Sequence, residues 1–465
     1  MAFKKRLHRT NIFLSFGSLC LICIVFVFCH GLSQASAQES TSVITIEESI
    51  AIALKQSAVV DSAKQEVRVA IAAKKEAYTG FLPKFSTSYG YTRLSDEPSF
   101  TFSGVPPLIP PSTMATGTED NYTWAFEVRQ PVFAGGAILE NYRASEISEE
   151  ATKIEERVRV LDVVREVKVA YLNVIKARRT LDVARQSLKQ LEAHRATAQG
   201  FYDVHMIPQN DLLRAEVELI NGQKNLLKAE NAVEIAKANF NILLRRDINA
   251  DFEIEDQLEK FAFNKEIEEC LKTALLNRPE IKVYEMRKKY MQKMKLVAES
   301  EYYPTVNLVG HFERFGDGPD VSGSRYKDDQ SWYVGGVVNW NFFEWGKTKY
   351  RVEASNARVS QMDDSIKLIH DQVILEVKVA WHELKEAEKQ IEADETAVKQ
   401  AEENYRISSE RYQERLSTST DVLDAQSLLT RAQSGYVNSL CDSHIRFAGL
   451  ERALGTEEDQ ERGKF

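Results

Sequence analysis

An internal duplication is the feature that most constrains the fold of this 465-residue chain. The segment Glu166–Tyr171 recurs as Glu376–Trp381, at an offset of 210 positions. The same offset holds without a gap from Ala144 to Ala215, so we expect the helices of the two copies to be equal in length. Upstream the offset becomes 221, and the extra 11 residues of the first copy fall between Pro83 and Gln130.

Each copy has the same predicted order of elements: helix, strand, loop, strand, very long helix, turn and helix. The first copy is 38–250 and the second is 251–465. Proline is absent from the two predicted long helices, 137–200 and 347–410, which would each extend about 95 Å. Apolar residues recur in them at spacings of three and four, so we predict a mainly α-helical protein. An ordinary antiparallel coiled coil has the same periodicity and remains an alternative.

Four short segments alternate between apolar and polar residues, which is typical of β-strands. They are 84–94, 121–131, 305–315 and 331–341, and four of the five tryptophans lie in or next to them. A tilted strand of 9–11 residues with aromatic ends is long enough to cross a bilayer. We therefore predict membrane strands, and a small soluble sheet with one buried face remains the alternative.

The number of predicted strands limits how they can be arranged in a membrane. Four strands cannot close a barrel, since bacterial membrane barrels begin at about eight. An open edge in hydrocarbon leaves unpaired backbone groups that cost several kcal/mol each. If the sheet is in a membrane, several chains must therefore combine their strands.

The N-terminus has the pattern of a secretory signal. Basic residues precede the apolar run Ile12–Cys29, and the small residues Ala35–Ala37 follow it. We predict that 1–37 is a signal peptide and that the protein is exported. An uncleaved membrane anchor is the alternative reading of the same run.

Composition excludes several functional classes. The net charge of −9 becomes more negative when the basic signal is removed, which argues against a nucleic-acid partner. Charged residues make up 28% of the chain, too many for a polytopic helical membrane protein. Outside the signal only Cys270 and Cys441 remain, as one bridge or as two buried thiols. We find no catalytic constellation or metal-ligand spacing, and predict no enzyme activity, cofactor or metal.

The order and spacing of several motifs resemble those of the outer-membrane factor (TolC-like) family of efflux and secretion ducts. The resemblance covers the chain from about Thr45 to Gly455. Its motifs are the opening Ile46–Ile50 with Ala53 and Leu54, the strand entry Gly80–Pro83, and two copies of a tip motif, Tyr202 with Asp211–Ala215 and Tyr412 with Asp421–Ala425.

This resemblance implies an architecture and a function. Three chains would form a 12-strand β-barrel in the outer membrane, continuing into a 12-helix α-barrel across the periplasm. The homotrimer would be a passive exit duct of a tripartite efflux or type I secretion system. A periplasmic adaptor protein and an inner-membrane transporter would open it at its helical tip. The alternative function is an exported structural coiled-coil protein of the envelope without channel activity.

The resemblance also assigns roles to residues at the tip. They are Asp421 and Asp424 in the entrance constriction, Asp211, Tyr412 and Arg415 in gate hydrogen bonds, and Tyr202, His205 and Leu416 in adaptor docking. An alternative is that Asp211 and Asp421 only cap the helices that follow each turn. The chain departs from the family where many members have a turn glycine, since His205 and Arg415 stand there. Ser417 replaces a basic residue beside the gate, and Arg415 is a candidate substitute.

Overall fold

The computed structural model describes residues 43–456, so the predicted signal peptide 1–37 lies outside the described residues. The described part is mainly helical. Its helices are α1 (Ile46–Gln56), α2 (Ala58–Thr79), α3 (Ala137–Asp203), α4 (Gln209–Leu243), α5 (Ile267–Asn277), α6 (Pro279–Glu299), α7 (Lys347–Gln413) and α8 (Ser419–Leu454). No helix among these residues is both long and apolar enough to cross a lipid bilayer.

The strands form one four-stranded sheet and two small pairs. They are β1 (Val43–Ile44), β2 (Lys84–Arg93), β3 (Ser99–Phe102), β4 (Ser112–Ala115), β5 (Asp120–Ala134), β6 (Glu253–Ile254), β7 (Thr305–Gly316) and β8 (Gln330–Asn339). The large sheet is antiparallel with the order β2-β5-β7-β8. Strand β1 pairs with β6, and β3 pairs with β4.

The duplication is visible in the lengths of the helices. Helices α3 and α7 have 67 residues each, and α4 and α8 have 35 and 36. Both long helices continue three residues past their predicted ends, because the chain leaves the helical conformation only near His205 and Arg415, whose φ angles are positive. Strand β5 continues past Pro131 because a shift of register next to this residue accommodates its missing N–H.

The first interstrand loop differs from the sequence expectation. The sequence predicted only a loop between the first two strands, whereas the structure contains the β3–β4 hairpin within it. Short runs of alternating residues on both sides of the prolines form this hairpin.

The two copies of the repeated segment, Glu166–Tyr171 and Glu376–Trp381, lie at the centres of two hydrophobic cores. Val167 and Val377 are both fully buried, one in each core. The Tyr171 hydroxyl donates to the Glu255 carbonyl at 2.8 Å, and the Trp381 ring N–H donates to the Lys265 carbonyl at 3.1 Å. The repeated segment therefore ties each long helix to the connection between the two copies.

Helix packing follows the order of the strands. Next to the sheet the neighbouring helices are α2, α3, α6 and α7 in that order, and at the opposite end they are α4, α3, α8 and α7. The two cysteines lie in different cores as buried free thiols, Cys441 in the first and Cys270 in the second. The two-thiol alternative therefore describes them.

Candidate functional site

The four-stranded sheet has one aromatic face and one polar face. Its register places Phe85 beside Val128, Phe126 beside Phe312, and Phe312 beside Trp332. Because side chains alternate along a strand, these pairs put the apolar positions of all four strands on the same face. Trp332 is 72% exposed, so this face is uncovered in the single chain.

Ionisable side chains cluster on the opposite face of the sheet. The Arg129 guanidinium lies 2.8 Å from the Glu127 carboxylate. The two ring nitrogens of His311 lie 3.7 Å from Glu127 and 3.8 Å from Glu313. The His311 ring also stacks on Tyr333 at 5.1 Å between centroids. One face of the sheet thus suits lipid and the other suits water.

Both outer strands of the sheet have an open edge. Within residues 43–456, β2 pairs only with β5 and β8 pairs only with β7. The free edges carry backbone N–H and C=O groups that can pair with a further strand.

At the far end from the sheet, two turns connect the long helices to α4 and α8. His205 and Arg415 are the equivalent residues of these turns, with φ angles of 62° and 65°. The following N–H groups donate back to the helix, from Met206 to Phe201 at 2.8 Å and from Leu416 to Arg411 at 2.7 Å. This is the Schellman arrangement, in which glycine usually occupies the left-handed position.

Asp421, the third residue of α8, takes part in the N-terminal cap of this helix. Its carboxylate accepts hydrogen bonds from the Thr418 N–H at 2.8 Å and the Thr418 hydroxyl at 2.9 Å. These bonds hold the pKa of Asp421 below its usual value. Asp424 is exposed one turn further along the same helix face. Asp211 has the equivalent position in α4, whose N-cap residue is Pro208 and which has no side-chain capping bond.

Tyr412 is buried at the tip, where the helical hairpin α3–α4 meets the helical hairpin α7–α8. Its ring lies 5.0 Å from His194 and 5.5 Å from Phe201 between centroids. Its hydroxyl lies beside Ser419 but makes no hydrogen bond of normal geometry within the described chain, and burial raises its pKa. The Arg415 guanidinium lies 5.9 Å above the Phe201 ring, so the structure brings Arg415 and Tyr412 to the same aromatic cluster.

His194 is a tip residue that the sequence reasoning missed. Its ring Nε2 lies 2.8 Å from the Ser419 hydroxyl in a buried contact between α3 and α8. Burial lowers the pKa of His194 to about 4. Leu191 and Ala198 lie on the same buried side of α3, so a histidine within this apolar stripe was the available signal.

The three residues assigned to docking have different environments. Tyr202 packs beside a small core that contains Ala198 and Leu212. His205 and Leu416 are exposed at the extreme end of the helices, and Leu416 is 69% exposed. Among the described residues no group of three or more histidine, cysteine or acidic side chains could hold a metal ion.

Comparisons with known proteins agree with this geometry. The outer membrane efflux protein family matches residues 50–244 and 270–456. The CmeC outer membrane channel of Campylobacter jejuni is 17% identical, with a TM-score of 0.72 over 90% of this chain and 88% of that chain. The outer membrane protein VceC of Vibrio cholerae is also 17% identical, with a TM-score of 0.72 over 88% and 96%.

A third solved structure, the open state of the MtrE outer membrane channel of Neisseria gonorrhoeae, is 18% identical. Its TM-score is 0.70, and 88% of each chain is covered. No curated protein gives a significant match.

Proposed function

The chain belongs to the outer membrane efflux protein family, and from this membership we propose that three copies form one exit duct. The protein is an outer membrane channel component that extends into the periplasm. The proposed homotrimer contains a 12-strand β-barrel followed by a 12-helix α-barrel. Substrates pass through it passively.

The observation that carries the proposal is the open four-stranded sheet with its aromatic and polar faces. Its strands have 10 to 15 residues, enough to cross a bilayer. Unpaired edges are costly in lipid, and pairing β2 of one chain with β8 of the next removes them. Three chains then supply twelve strands with the aromatic face toward lipid and the polar face toward the lumen.

An exposed apolar stripe on α4 supports the same assembly. Its members are about half exposed or more and follow the spacing of one helix face: Leu213, Val217, Ile220, Leu227, Ile235 and Ile242. Helix α4 corresponds to α8 through the 210-residue repeat, and α8 packs on α3. The repeat counterpart of α3 is α7, so the partner of α4 is α7 of the adjacent chain.

The tip forms the proposed entrance and gate. Three copies of Asp421 and Asp424 form an acidic constriction that favours cations. Asp424 carries more of this role, because the Asp421 carboxylate is engaged by Thr418. Asp211, Tyr412 and Arg415 belong to the closed gate, where Tyr412 has a buried hydroxyl available for a bond.

The proposed partners act at the same end. An adaptor protein docks on the exposed turns around Tyr202, His205 and Leu416, and an inner-membrane transporter supplies the energy. Membership of an efflux family favours drug or metabolite efflux, with type I secretion as the second proposed use. A structural coiled-coil protein would not need a sheet with a lipid-compatible face.

A planar bilayer experiment tests the proposal. The detergent-purified protein should have the mass of three chains and should give discrete single-channel conductance. Asp424→Asn should weaken block by trivalent cations, whereas Asp182→Asn, at an exposed site on α3 far from the tip, should not. A monomer that is stable in buffer without detergent, or a trimer without conductance, would refute the duct.

A further inference from the structure

The loop between β2 and β5 has an unusual composition for an exposed segment. Residues 98–118 contain no charged side chain, although 28% of the chain is charged. The corresponding loop of the second copy, 316–330, has six charged residues: Asp317, Asp320, Arg325, Lys327, Asp328 and Asp329. The two loops therefore face different surroundings, even though they occupy equivalent places in the repeat.

The uncharged segment is an ordered hairpin that extends the β2–β5 ladder. The Leu94 N–H donates to the Glu119 carbonyl at 2.8 Å, and the Thr116 N–H donates to the Pro98 carbonyl at 2.7 Å. Beyond these bonds β3 and β4 pair along their full length. The hairpin thus begins beside β2, which is the open edge of the sheet and the proposed seam between chains.

The hairpin has one apolar face. Phe100 lies opposite Met114, and Thr101 lies opposite Thr113 on the other face, where the two hydroxyls are 3.0 Å apart. Phe100 and Met114 are 63% and 67% exposed, and Leu108 near the tip is 83% exposed. Exposed apolar faces of this kind mark contact surfaces.

The hairpin lies at the outer mouth of the proposed duct. Helix α2 precedes the first residue of β2, and helix α3 follows the last residue of β5, so both helices adjoin the same end of the sheet. The β3–β4 hairpin connects the other ends of β2 and β5 and therefore lies opposite the helices. Because the helices extend into the periplasm, this end faces the cell exterior. If the protein is the proposed trimer, on which this inference rests, three such hairpins surround one opening.

We propose that the three hairpins bind one another through their apolar faces and close the outer mouth, forming a second barrier distinct from the periplasmic tip. Their reach is sufficient. The eight residues from Pro98 to Val105, where the chain turns back, span about 23 Å when extended. Twelve strands about 4.8 Å apart and tilted by about 40° form a ring of about 12 Å radius, so the tips reach the axis.

A second copy of the chain is a better occupant of this face than lipid. Segments that lie on a membrane surface typically combine apolar residues with Lys and Arg on their polar side, and residues 98–118 contain neither Lys nor Arg. Association on the axis also leaves the hydroxyl face of each hairpin in contact with water, as its composition requires.

Cysteine cross-linking tests this contact directly. Cys270 and Cys441 are buried, so Leu108→Cys adds one exposed thiol to the described part of the chain. Oxidation of the intact trimer should give a covalent dimer with a remaining monomer on a non-reducing gel, since two of three thiols on an axis can pair. Ser322→Cys, in the exposed second-copy loop, is the matched control and should stay monomeric.

The outcomes separate this inference from the proposed function. An intact trimer of Leu108→Cys that gives no cross-linked dimer on oxidation overturns the hairpin closure alone. A fluorescent label on this cysteine that is quenched by nitroxide-labelled lipids does the same. Absence of a trimer before oxidation instead overturns the duct. As a second readout, Phe100→Ser with Met114→Ser should increase single-channel conductance several-fold, whereas Thr101→Ser should leave it unchanged. Equal conductance of the two variants would contradict the closure.

Discussion

Acidification should open the periplasmic tip through His194. Burial lowers the pKa of His194 to about 4 from an ordinary value of 6.5. When the α3–α4 and α7–α8 hairpins of one chain separate at the tip, the His194 ring reaches water and regains its ordinary pKa. The open state therefore binds the proton more tightly. The closed contact is therefore fully stable above pH 6.5 and loses stability as the pH falls to about 4. The difference corresponds to about 3 kcal/mol per chain.

The assay is single-channel conductance of the trimer at a series of pH values between 7 and 4. The open probability of the wild type should rise within this window, and His194→Gln should give a flatter profile because glutamine keeps a polar partner for Ser419 without titrating. His205→Gln, at the exposed turn, is the control and should follow the wild type. Identical pH profiles for the wild type and His194→Gln would refute the reasoning.

Three further predictions concern stability and reactivity. His205→Gly should raise the free energy of unfolding by about 1 kcal/mol, measured in denaturant, because glycine removes the strain of a φ of 62°. Lys168→Met should lower it by about 3–5 kcal/mol, since the buried Glu451 carboxylate 2.5 Å away loses its partner, and Lys168→Met with Glu451→Leu should recover most of this loss. The Cys441 thiol, whose pKa burial raises to about 11, should react with a thiol reagent only after denaturation, so rapid reaction of the native protein would contradict its burial.

The sequence predicted the elements that repeat. Long helices and strands have strong periodicities, and because of the repeat each pattern occurs twice in the sequence. The start of α3 at Ala137 and the start of β2 at Lys84 agree with these patterns. The alternation of the strands also predicted which residues share a face, because that follows from backbone geometry alone.

Features that depend on contacts between distant segments were not predictable in this way. The contact of His194 with Ser419 joins residues of different copies, and no local pattern indicates it. The helix ends were missed because His205 and Arg415 occupy positions that usually contain glycine. The capping alternative placed Asp421 at the N-cap, whereas Thr418 is the N-cap and Asp421 takes part in the cap as its partner three residues later.

The internal repeat also relates the packing seam within a chain to the proposed seam between chains. Within the chain, α3 and α8 are joined by polar contacts: His194 with Ser419, Ser187 with Gln426, Lys176 with Asp442, and Lys168 with Glu451. At the offset of 210, the residues of α7 and α4 at these four places are Asn404 with Gln209, Ala397 with Glu216, Glu386 with Ala232, and Lys378 with Asn241. None of these combinations is an ion pair, and α4 instead presents its apolar stripe. Apolar contacts are non-directional, whereas buried polar contacts fix one geometry. At neutral pH we therefore expect the two hairpins of one chain to move together and the tip to open between chains. Acid, by protonating His194, should in addition loosen the seam within a chain.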